Sequence, residues 1–435
     1  MVLIYTHKIT PRLTYIFKHI FVRILNTKVT FTSKIEEFVA HNGVKFTYSK
    51  VALGSEFFVR SHDLLFEQGI NDIEIIMQKW DDKVSCFFPA GKKSSIPFDI
   101  FAASFYLLTR YEEYLPHVQD ELERFPVEES LAFQNDFLEL PVIDIWAYKL
   151  KEELMKRFPE YGFEARTYNY LSLFTINEAY IYKSKGLVRT IGGFLLDFFS
   201  LKLSAVWNRA MVLLNISKDP YDTYDSIISL QRKYKIDTSL FFLIANFTTY
   251  DANISLTKNK FKLLIKSMSD YVNVGLNASF FTMKNSDLLK KEMKKLEAVI
   301  NIPTIKTKQH MERIDLPETY QNLIDFEVEE DYSMGYSDHL GFRASTCTPF
   351  YFYDLDFEIQ TPLKVTPVAI TDYVLRDRLG LSEKQALRKV QEIFKNVKSV
   401  DGTLVTLFHN ELLSNYDDWR GWKHFYEQVI SLVKE

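Results

Sequence analysis

Polar side chains end several short apolar segments in the second half of the chain. Thr175 and Asn177 close one such segment, Asn277 a second, His310 a third and His409 a fourth. In α/β barrels the residues that carry chemistry lie at the carboxyl ends of different strands, so positions distant in sequence converge on one site. We therefore expect these five side chains to lie at one edge of a sheet.

Strand-like and helix-like patterns alternate regularly from Tyr168 onward. Short runs rich in Phe, Val, Ile and Leu are separated by amphipathic stretches such as DLLKKEMKKLEAVI (287–300). Such alternation is typical of βα units that build a largely parallel sheet or barrel. The pattern predicts about seven strands, within residues 170–177, 238–245, 272–281, 303–310, 327–336, 363–373 and 403–409.

The first part of the chain has a less regular pattern. It mixes short helical and strand signals and ends in a charged segment, KRFPEYGFEA (156–165). A length of 435 residues accommodates two domains, each with its own core. We predict a smaller mixed α/β domain at residues 1–165 and a (β/α) barrel at residues 166–435.

Composition excludes some classes of partner and compartment. A net charge of −4, spread along the chain, provides no basic footprint for nucleic acid. Cys86 and Cys347 are too few and too far apart for a disulfide framework, which is compatible with a reducing cytosol. The apolar residues near the N-terminus are interrupted by Lys8 and Arg12, unlike a secretory signal. We therefore expect a cytoplasmic protein.

Two segments bear on membrane contact. The basic N-terminus, which precedes the first acidic residue Glu36, could lie on an anionic membrane as an amphipathic helix or pack as an ordinary helix. Residues 186–206 are apolar but contain Arg189, Asp197 and Lys202, so they predict a buried or semi-buried helix and no transmembrane segment.

Several longer motifs resemble one family. KQHMERIDLPETYQNL (308–323), EEDYSMGYSDHLGFRASTCTPFYFYDL (329–355) and LFHNELLS (407–414) are similar to NodB-homology polysaccharide deacetylases of carbohydrate esterase family 4. The segments 96–117 and 124–133 resemble the uncharacterised N-terminal domain found before this domain in related proteins. The resemblance implies a distorted, NodB-like (β/α) barrel whose substrate is a polysaccharide or another acetylated sugar.

The resemblance also implies a metal site, which this chain has altered. In the family a divalent metal, usually zinc, activates a water that attacks an acetyl carbonyl, and two aspartates end the first strand as base and ligand. Thr175 and Asn177 occupy those positions here, and Asn277 replaces a histidine ligand. His310 matches a retained ligand, and His409 matches the histidine that acts as general acid in the family.

These replacements predict a weakened site. Zinc sites in hydrolases use about three His or carboxylate ligands, so Asn177 and Asn277 leave at best low affinity for zinc. Thr175 cannot accept a proton near neutral pH, which removes general-base catalysis. Whether the chain is an enzyme is left open by its sequence.

Other residues could complete a site. Arg343 could grip a carboxylate or orient a base, or form a structural ion pair. Asp338, His339, Tyr336 and Asp372 lie in loops or at strand ends from which they could contact a substrate, and Asp338, His339 or Asp372 could rebuild a ligand set.

Three functions are compatible with these residues. The first is a deacetylase relative that has lost its metal site and binds a glycan or a partner. The second is an active metal-dependent hydrolase that uses an altered ligand set, such as His310, His409 and a loop carboxylate. The third is a non-enzymatic assembly or scaffold protein. Fold similarity does not choose among them, because the site determines the function.

Overall fold

The computed structural model describes residues 1–81 and 84–434. The first part contains β1 Val2–Tyr5, α1 Pro11–Lys18, β2 Val29–Thr32, α2 Ile35–Ala40, β3 Lys45–Ser49, β4 Phe58–Arg60, β5 Met77–Trp80, β6 Val84–Phe87, α3 Ile100–Leu108, α4 Leu131–Gln134 and α5 Val142–Arg157. The middle part contains β7 Asn169–Ile176, α6 Leu187–Phe199, α7 Leu203–Leu213, α8 Tyr224–Tyr234, β8 Asp237–Leu243, α9 Asn259–Ser269, β9 Asn273–Ala278, α10 Ser286–Ile300 and β10 Lys306–Gln309. The last part contains α11 Glu318–Asp325, β11 Glu330–Asp331, β12 Phe350–Asp354, β13 Ile359–Val365, β14 Ile370–Thr371, α12 Glu383–Lys398, β15 Thr403–His409 and α13 Trp422–Lys434.

The chain forms two compact units whose segments alternate along the sequence. Unit 1 comprises Met1–Asn169, Ile314–Ala369 and Glu392–Leu404. Unit 2 comprises Tyr170–Arg313, Ile370–Gln391 and the C-terminal segment from Val405. Residues 314–369 and 392–404 therefore belong to the same unit as the N-terminal part. The prediction had placed these residues in a separate continuous domain at 166–435.

Unit 1 has a core rich in aromatic side chains. Its parallel sheet has the strand order β2-β1-β3-β4, and β5 and β6 form an antiparallel hairpin. Helix α1 begins at Pro11, and the side chain of Thr10 caps it by accepting a hydrogen bond from the Leu13 amide. Phe17 of this helix stacks on Phe101 with ring centroids 3.7 Å apart.

The packing of α1 decides between the two interpretations of the basic N-terminus. The apolar side chains of this helix are buried inside unit 1, and so are Ile20, Phe21 and Ile24 of the π-helical turn that follows it, whereas Val22 is exposed. Arg12 is also buried, where its guanidinium pairs with Glu358. The apolar face that peripheral membrane contact through the N-terminus would require is therefore occupied.

Unit 2 is built on a parallel sheet with the strand order β14-β15-β7-β8-β9-β10. Thr175 in β7 lies opposite Phe241 in β8, and Asn277 in β9 lies opposite Leu243 in β8 and Lys308 in β10. Because β7, β8, β9 and β10 are parallel, their carboxyl ends share one edge of the sheet. This edge, the carboxyl edge, carries the predicted site residues of β7, β9 and β10.

The predicted α/β class agrees with the structure, but the predicted barrel does not close. β14 and β10 lie at opposite ends of the strand order of unit 2, so the sheet formed by its described residues is open. The strand predicted at residues 363–373 is divided at Pro367, which has no N–H to donate to a neighbouring strand. Its second piece, β14, has only two residues, which limits the pairing available at that edge.

Two other predictions are corrected. The motif at residues 329–355, in which no strand was predicted after residue 336, contains β12, which pairs antiparallel with β13 and whose sequence FYFYD has high β-propensity. The buried or semi-buried helix predicted at residues 186–206 is two helices, α6 and α7, and α6 has half-buried residues but no buried one. No helix in the described part of the chain is both long and apolar enough to cross a bilayer.

Candidate functional site

Four of the predicted side chains meet at the carboxyl edge of unit 2. Asn277 Nδ2 lies 3.0 Å from Thr175 Oγ1, 2.7 Å from Asn177 Oδ1 and 3.4 Å from His310 Nδ1. The Thr175 hydroxyl in turn donates to Asn177 Oδ1 over 3.1 Å. We call Thr175, Asn177, Asn277 and His310 the amide cluster. The structure brings these four residues together, and their role in a functional site stays a prediction.

His310 is held as a neutral imidazole. Its Nε2 lies 3.2 Å from the Tyr250 carbonyl oxygen, which can only accept, so Nε2 carries the proton. Nδ1 is therefore the acceptor that faces the Asn277 amide. Burial and the nearby Lys308 ammonium lower the pKa of His310 to about 4. The cluster consequently has no charge near neutral pH.

Asn277 determines the polarity of the cluster. Its side chain is fully buried, and its amide hydrogens face three acceptors. Its Oδ1 is buried and has no hydrogen-bond partner among the described residues. A buried carbonyl oxygen without a donor is costly, so this oxygen is suited to accept from a hydroxyl or a water.

The loop after β8, residues 246–253, borders the cluster and was missed by sequence reasoning. Asn253 Nδ2 donates to the carbonyls of Ile176 and Leu243, which joins the ends of β7 and β8. The Tyr250 ring stacks on Phe280 with centroids 3.8 Å apart and is 37% exposed. The signal in the sequence was NFTTYDAN, a polar and aromatic run directly after a predicted strand.

His409 and Asp372 form a second pair in unit 2. His409 Nδ1 lies 2.8 Å from Asp372 Oδ1, and the His409 amide donates to Asp372 Oδ2 over 2.7 Å. Burial lowers the pKa of His409, but the charge and hydrogen bond of Asp372 outweigh burial and raise this pKa above its usual value. The His409 and Tyr373 rings pack in a T-shaped arrangement, with centroids 4.2 Å apart.

The His409–Asp372 pair lies at the same carboxyl edge as the amide cluster. Asn410, directly after His409, donates through Nδ2 to the carbonyl of Glu178, directly after Asn177. The buried Lys308 ammonium, which pairs with Glu312 at 2.8 Å, lowers the pKa of both His310 and His409. Sequence reasoning did not identify Lys308 as part of this region.

Glu411 is a further residue that sequence reasoning missed. It is buried two positions after His409, and burial raises its pKa to about 7 against the opposing effect of His409. It therefore lies among the charges that act on the pair.

The remaining predicted site residues belong to unit 1. Arg343 is fully buried, and its Nε and Nη2 donate to the two carboxylate oxygens of Glu113 over 2.8 and 2.7 Å. Tyr336 is also buried, with its ring near the Arg343 guanidinium. Asp338 and His339 are about one-third exposed and pair with each other at 3.2 Å. The contacts of Arg343 are those of a structural ion pair, and a catalytic role for it stays a prediction.

The residues of the amide cluster do not fit zinc. They offer one imidazole nitrogen together with neutral hydroxyl and amide oxygens, whereas zinc in proteins binds thiolate, imidazole and carboxylate. The Asn277 amide turns its NH₂, a donor, towards the other members. In residues 1–81 and 84–434, no group of three or more His, Cys, Asp and Glu side chains is arranged to hold a metal ion.

Comparison with known protein families finds a match to the N-terminal part of the chain. A family model described as "Family of unknown function (DUF7033)" matches residues 2–159. No curated protein matches the chain.

Several solved structures are similar to the chain. One, described as a polysaccharide deacetylase from Mycobacterium smegmatis, shares 15% identity over 62% of this chain and 85% of its own, with a TM-score of 0.39. A polysaccharide deacetylase from Bacillus cereus shares 11% identity over 62% of this chain and 88% of its own, with a TM-score of 0.31. A mutant of a carbohydrate esterase family 4 pseudoenzyme with restored activity shares 12% identity over 61% of this chain and 65% of its own, with a TM-score of 0.30. At these values the activity of this chain has to be argued from its own residues.

Proposed function

We propose that unit 2 is a deacetylase-like domain that binds a neutral acetylated saccharide at the amide cluster and does not use a metal to cleave it. The observation that carries the proposal is the bonding of Asn277 to Thr175, Asn177 and His310. These hydrogen bonds join the four positions that resemble a metal site into an uncharged group. The family resemblance of the motifs at 308–323, 329–355 and 407–414 supports the class of ligand.

The surroundings of the cluster suit a sugar. Saccharides present hydroxyl and acetamido groups, which pair with neutral amides and imidazoles, and apolar ring faces, which pack on aromatic rings. Tyr250, which is 37% exposed, offers such a ring, and its backbone carbonyl is bonded to His310. The raised pKa of His409 supplies a further donor at the same edge, because the imidazole keeps its proton to higher pH.

The proposal is tested by calorimetric titration with N-acetylglucosamine oligomers and O-acetylated oligosaccharides. Tyr250→Ala should weaken binding about tenfold, because an aromatic contact contributes about 1 kcal/mol or more. Tyr271→Ala is the matched control, since Tyr271 is exposed but precedes β9, at the opposite edge of the sheet. This control should bind like the wild type.

Two results would contradict the proposal. Absence of saturable binding to every acetylated saccharide would favour the scaffold function. An equal loss in Tyr250→Ala and Tyr271→Ala would place the saccharide away from the cluster.

A second experiment addresses hydrolysis with an altered ligand set. Both carboxylate oxygens of Asp372 are hydrogen-bonded to His409, and Nε2 of His310 is hydrogen-bonded to the Tyr250 carbonyl. These atoms are therefore already engaged and are not free to bind a metal. The triple variant Thr175→Asp, Asn177→Asp, Asn277→His should therefore gain zinc, measured by elemental analysis, whereas the wild type and Thr175→Asp alone should not. Stoichiometric zinc and chelator-sensitive deacetylation in the wild type would instead establish the hydrolase.

A further inference from the structure

The α6–α7 hairpin of unit 2 exposes an unusual amount of apolar surface. Helix α6 has no buried residue, and α7 follows it after the short turn Ser200–Lys202. The most exposed apolar residues of the hairpin are Leu187 at 75%, Val188 at 85%, Leu196 at 71%, Phe199 at 77%, Leu201 at 82% and Trp207 at 66%. Soluble monomers rarely present contiguous apolar patches larger than a few hundred Å², and larger ones mark an interaction surface.

The apolar side chains of α6 cover a broad arc of the helix. With about 100° of rotation per residue, Leu187 and Leu196 point about 180° apart, and Val188, Leu195 and Phe199 lie between them. A helix that packs on one protein surface shows an apolar stripe of about 100° or more, and the arc of α6 is wider than this minimum. An arc this wide suits a fluid apolar medium that contacts the helix from several sides.

The charges of the hairpin are complementary to an anionic surface. Residues 186–217 contain Arg189, Lys202 and Arg209 against the single acid Asp197, a net charge of +2. Asp197 is neutralised by Arg209, which donates to it through Nε at 3.0 Å and Nη2 at 2.6 Å. The exposed Lys202 makes no ion pair with any described residue and lies in the turn between Phe199 and Leu203.

We propose that the α6–α7 hairpin is a membrane-interface site that inserts its turn into the headgroup and upper acyl region of an anionic bilayer. Helix α6 has 13 residues and is about 20 Å long, too short to cross a hydrocarbon core of about 30 Å, so the hairpin lies in the interface. Phe199 and Leu201 supply the apolar contact, Trp207 lies at headgroup depth, and Lys202 extends its ammonium towards lipid phosphates.

The hairpin is joined to the loop that borders the amide cluster. Arg189 of α6 donates to the carbonyls of Ala252 and Asn253 over 2.8 and 3.3 Å, and its guanidinium lies over the exposed Phe247 ring. Insertion of the hairpin would therefore bring the 246–253 loop close to the bilayer surface. The membrane site itself rests on the exposed side chains and the charge balance, and it stands whether or not the cluster binds a saccharide.

The test is co-sedimentation of the full chain with phosphatidylcholine vesicles, with and without added phosphatidylglycerol. The wild type should sediment with both and more strongly with the anionic vesicles. Phe199→Asp combined with Leu201→Asp should lower the partition coefficient at least about tenfold, because two apolar contacts are lost. Lys202→Glu should lower partitioning to anionic vesicles about fivefold or more and leave partitioning to neutral vesicles unchanged.

Matched controls keep the experiment specific. Leu263→Asp and Ile302→Asp add the same charges at unit 2 positions that are 65% and 56% exposed, and they should sediment like the wild type. Because all five substituted positions are exposed, circular dichroism should show that each variant keeps the wild-type fold.

Three results would overturn the proposal. The first is a wild type that stays in solution with both vesicle types. The second is an equal loss in the control variants. The third is a wild-type dimer, measured by light scattering, that Phe199→Asp with Leu201→Asp separates while vesicle binding is unchanged; that result would assign the hairpin to a second copy of the chain.

Discussion

Individual residues set the electrostatics of the candidate site. An amide at position 277 contributes donors where a metal ligand would need a lone pair, and His310 is buried as a neutral base. Lys308 is ionic but pairs with Glu312, so its charge is balanced locally. Because burying ions without partners is costly, a buried cluster of this kind is favoured when its side chains are neutral.

The lowered pKa of His310 predicts a pH dependence of stability. The folded pKa of about 4 lies below the usual value of 6.5, so the folded protein binds fewer protons than the unfolded chain between these values. The stabilisation is fully present above about pH 6.5 and is lost as the pH falls through 4, by about 3 kcal/mol in total.

The difference in free energy of unfolding between wild type and His310→Gln, from urea denaturation at several pH values, isolates this contribution. The wild type should lose stability relative to His310→Gln on acidification. His424→Gln is the control, because the His424 side chain is 73% exposed, and it should follow the wild type. Parallel curves for wild type and His310→Gln would contradict the assignment.

At the scale of elements, packing contacts hold part of the motif at residues 329–355. Asp144 of α5 is fully buried and accepts hydrogen bonds from the Thr346 hydroxyl at 2.6 Å, the Cys347 amide at 3.1 Å and the Thr348 hydroxyl. Much of the motif at residues 329–355 is thus bound to the N-terminal part of unit 1.

Gly341 gives a test of this packing. Its φ is +123°, and a Cβ at this position would lie 2.4 Å from the Leu138 carbonyl oxygen, so only glycine fits. Gly341→Ala should lower the free energy of unfolding by about 3 kcal/mol. Gly162→Ala, which meets no atom within 4 Å, should change it by less than about 0.5 kcal/mol in the same denaturation experiment. A neutral Gly341→Ala would mean that the 329–355 motif is not held in this way.

For the whole molecule, the alternation of segments couples distant parts of the sequence. Buried charges of the N-terminal part find their partners after residue 314: Glu113 pairs with Arg343, Arg12 with Glu358, and Asp144 with residues 346–348. Breaking a buried ion pair by removing one partner costs about 3–5 kcal/mol.

Residues 1–165 alone should therefore not fold cooperatively, although a family model covers nearly the same range. We expect poor dispersion in NMR spectra and no sharp thermal transition for this fragment. Joining residues 314–369 to it through a flexible linker should restore a transition. A stable, cooperative fragment 1–165 would instead support two continuous domains divided near residue 165.

Features that follow from local sequence patterns were predictable, and features that depend on tertiary contacts were not. The strands of unit 2 and the convergence of Thr175, Asn277 and His310 were predictable, because parallel strands place their carboxyl ends at one edge. Strand β12 was missed because it lies in a motif rich in turn residues. The 246–253 loop was missed because its sequence matches no known pattern. The exposure of α6 was also missed, because an apolar sequence does not reveal whether a partner helix covers it.

The sequence by itself determined the α/β class, the alternation of elements and the uncharged chemistry of Thr175, Asn177 and Asn277, since these follow from local periodicity and residue type. Only the tertiary structure decided that Asn277 bonds to its three neighbours, that Arg343 is engaged by Glu113 and that the sheet of unit 2 is open. Hydrogen bonds and ion pairs between residues a hundred or more positions apart depend on the path of the chain, which periodicity does not encode.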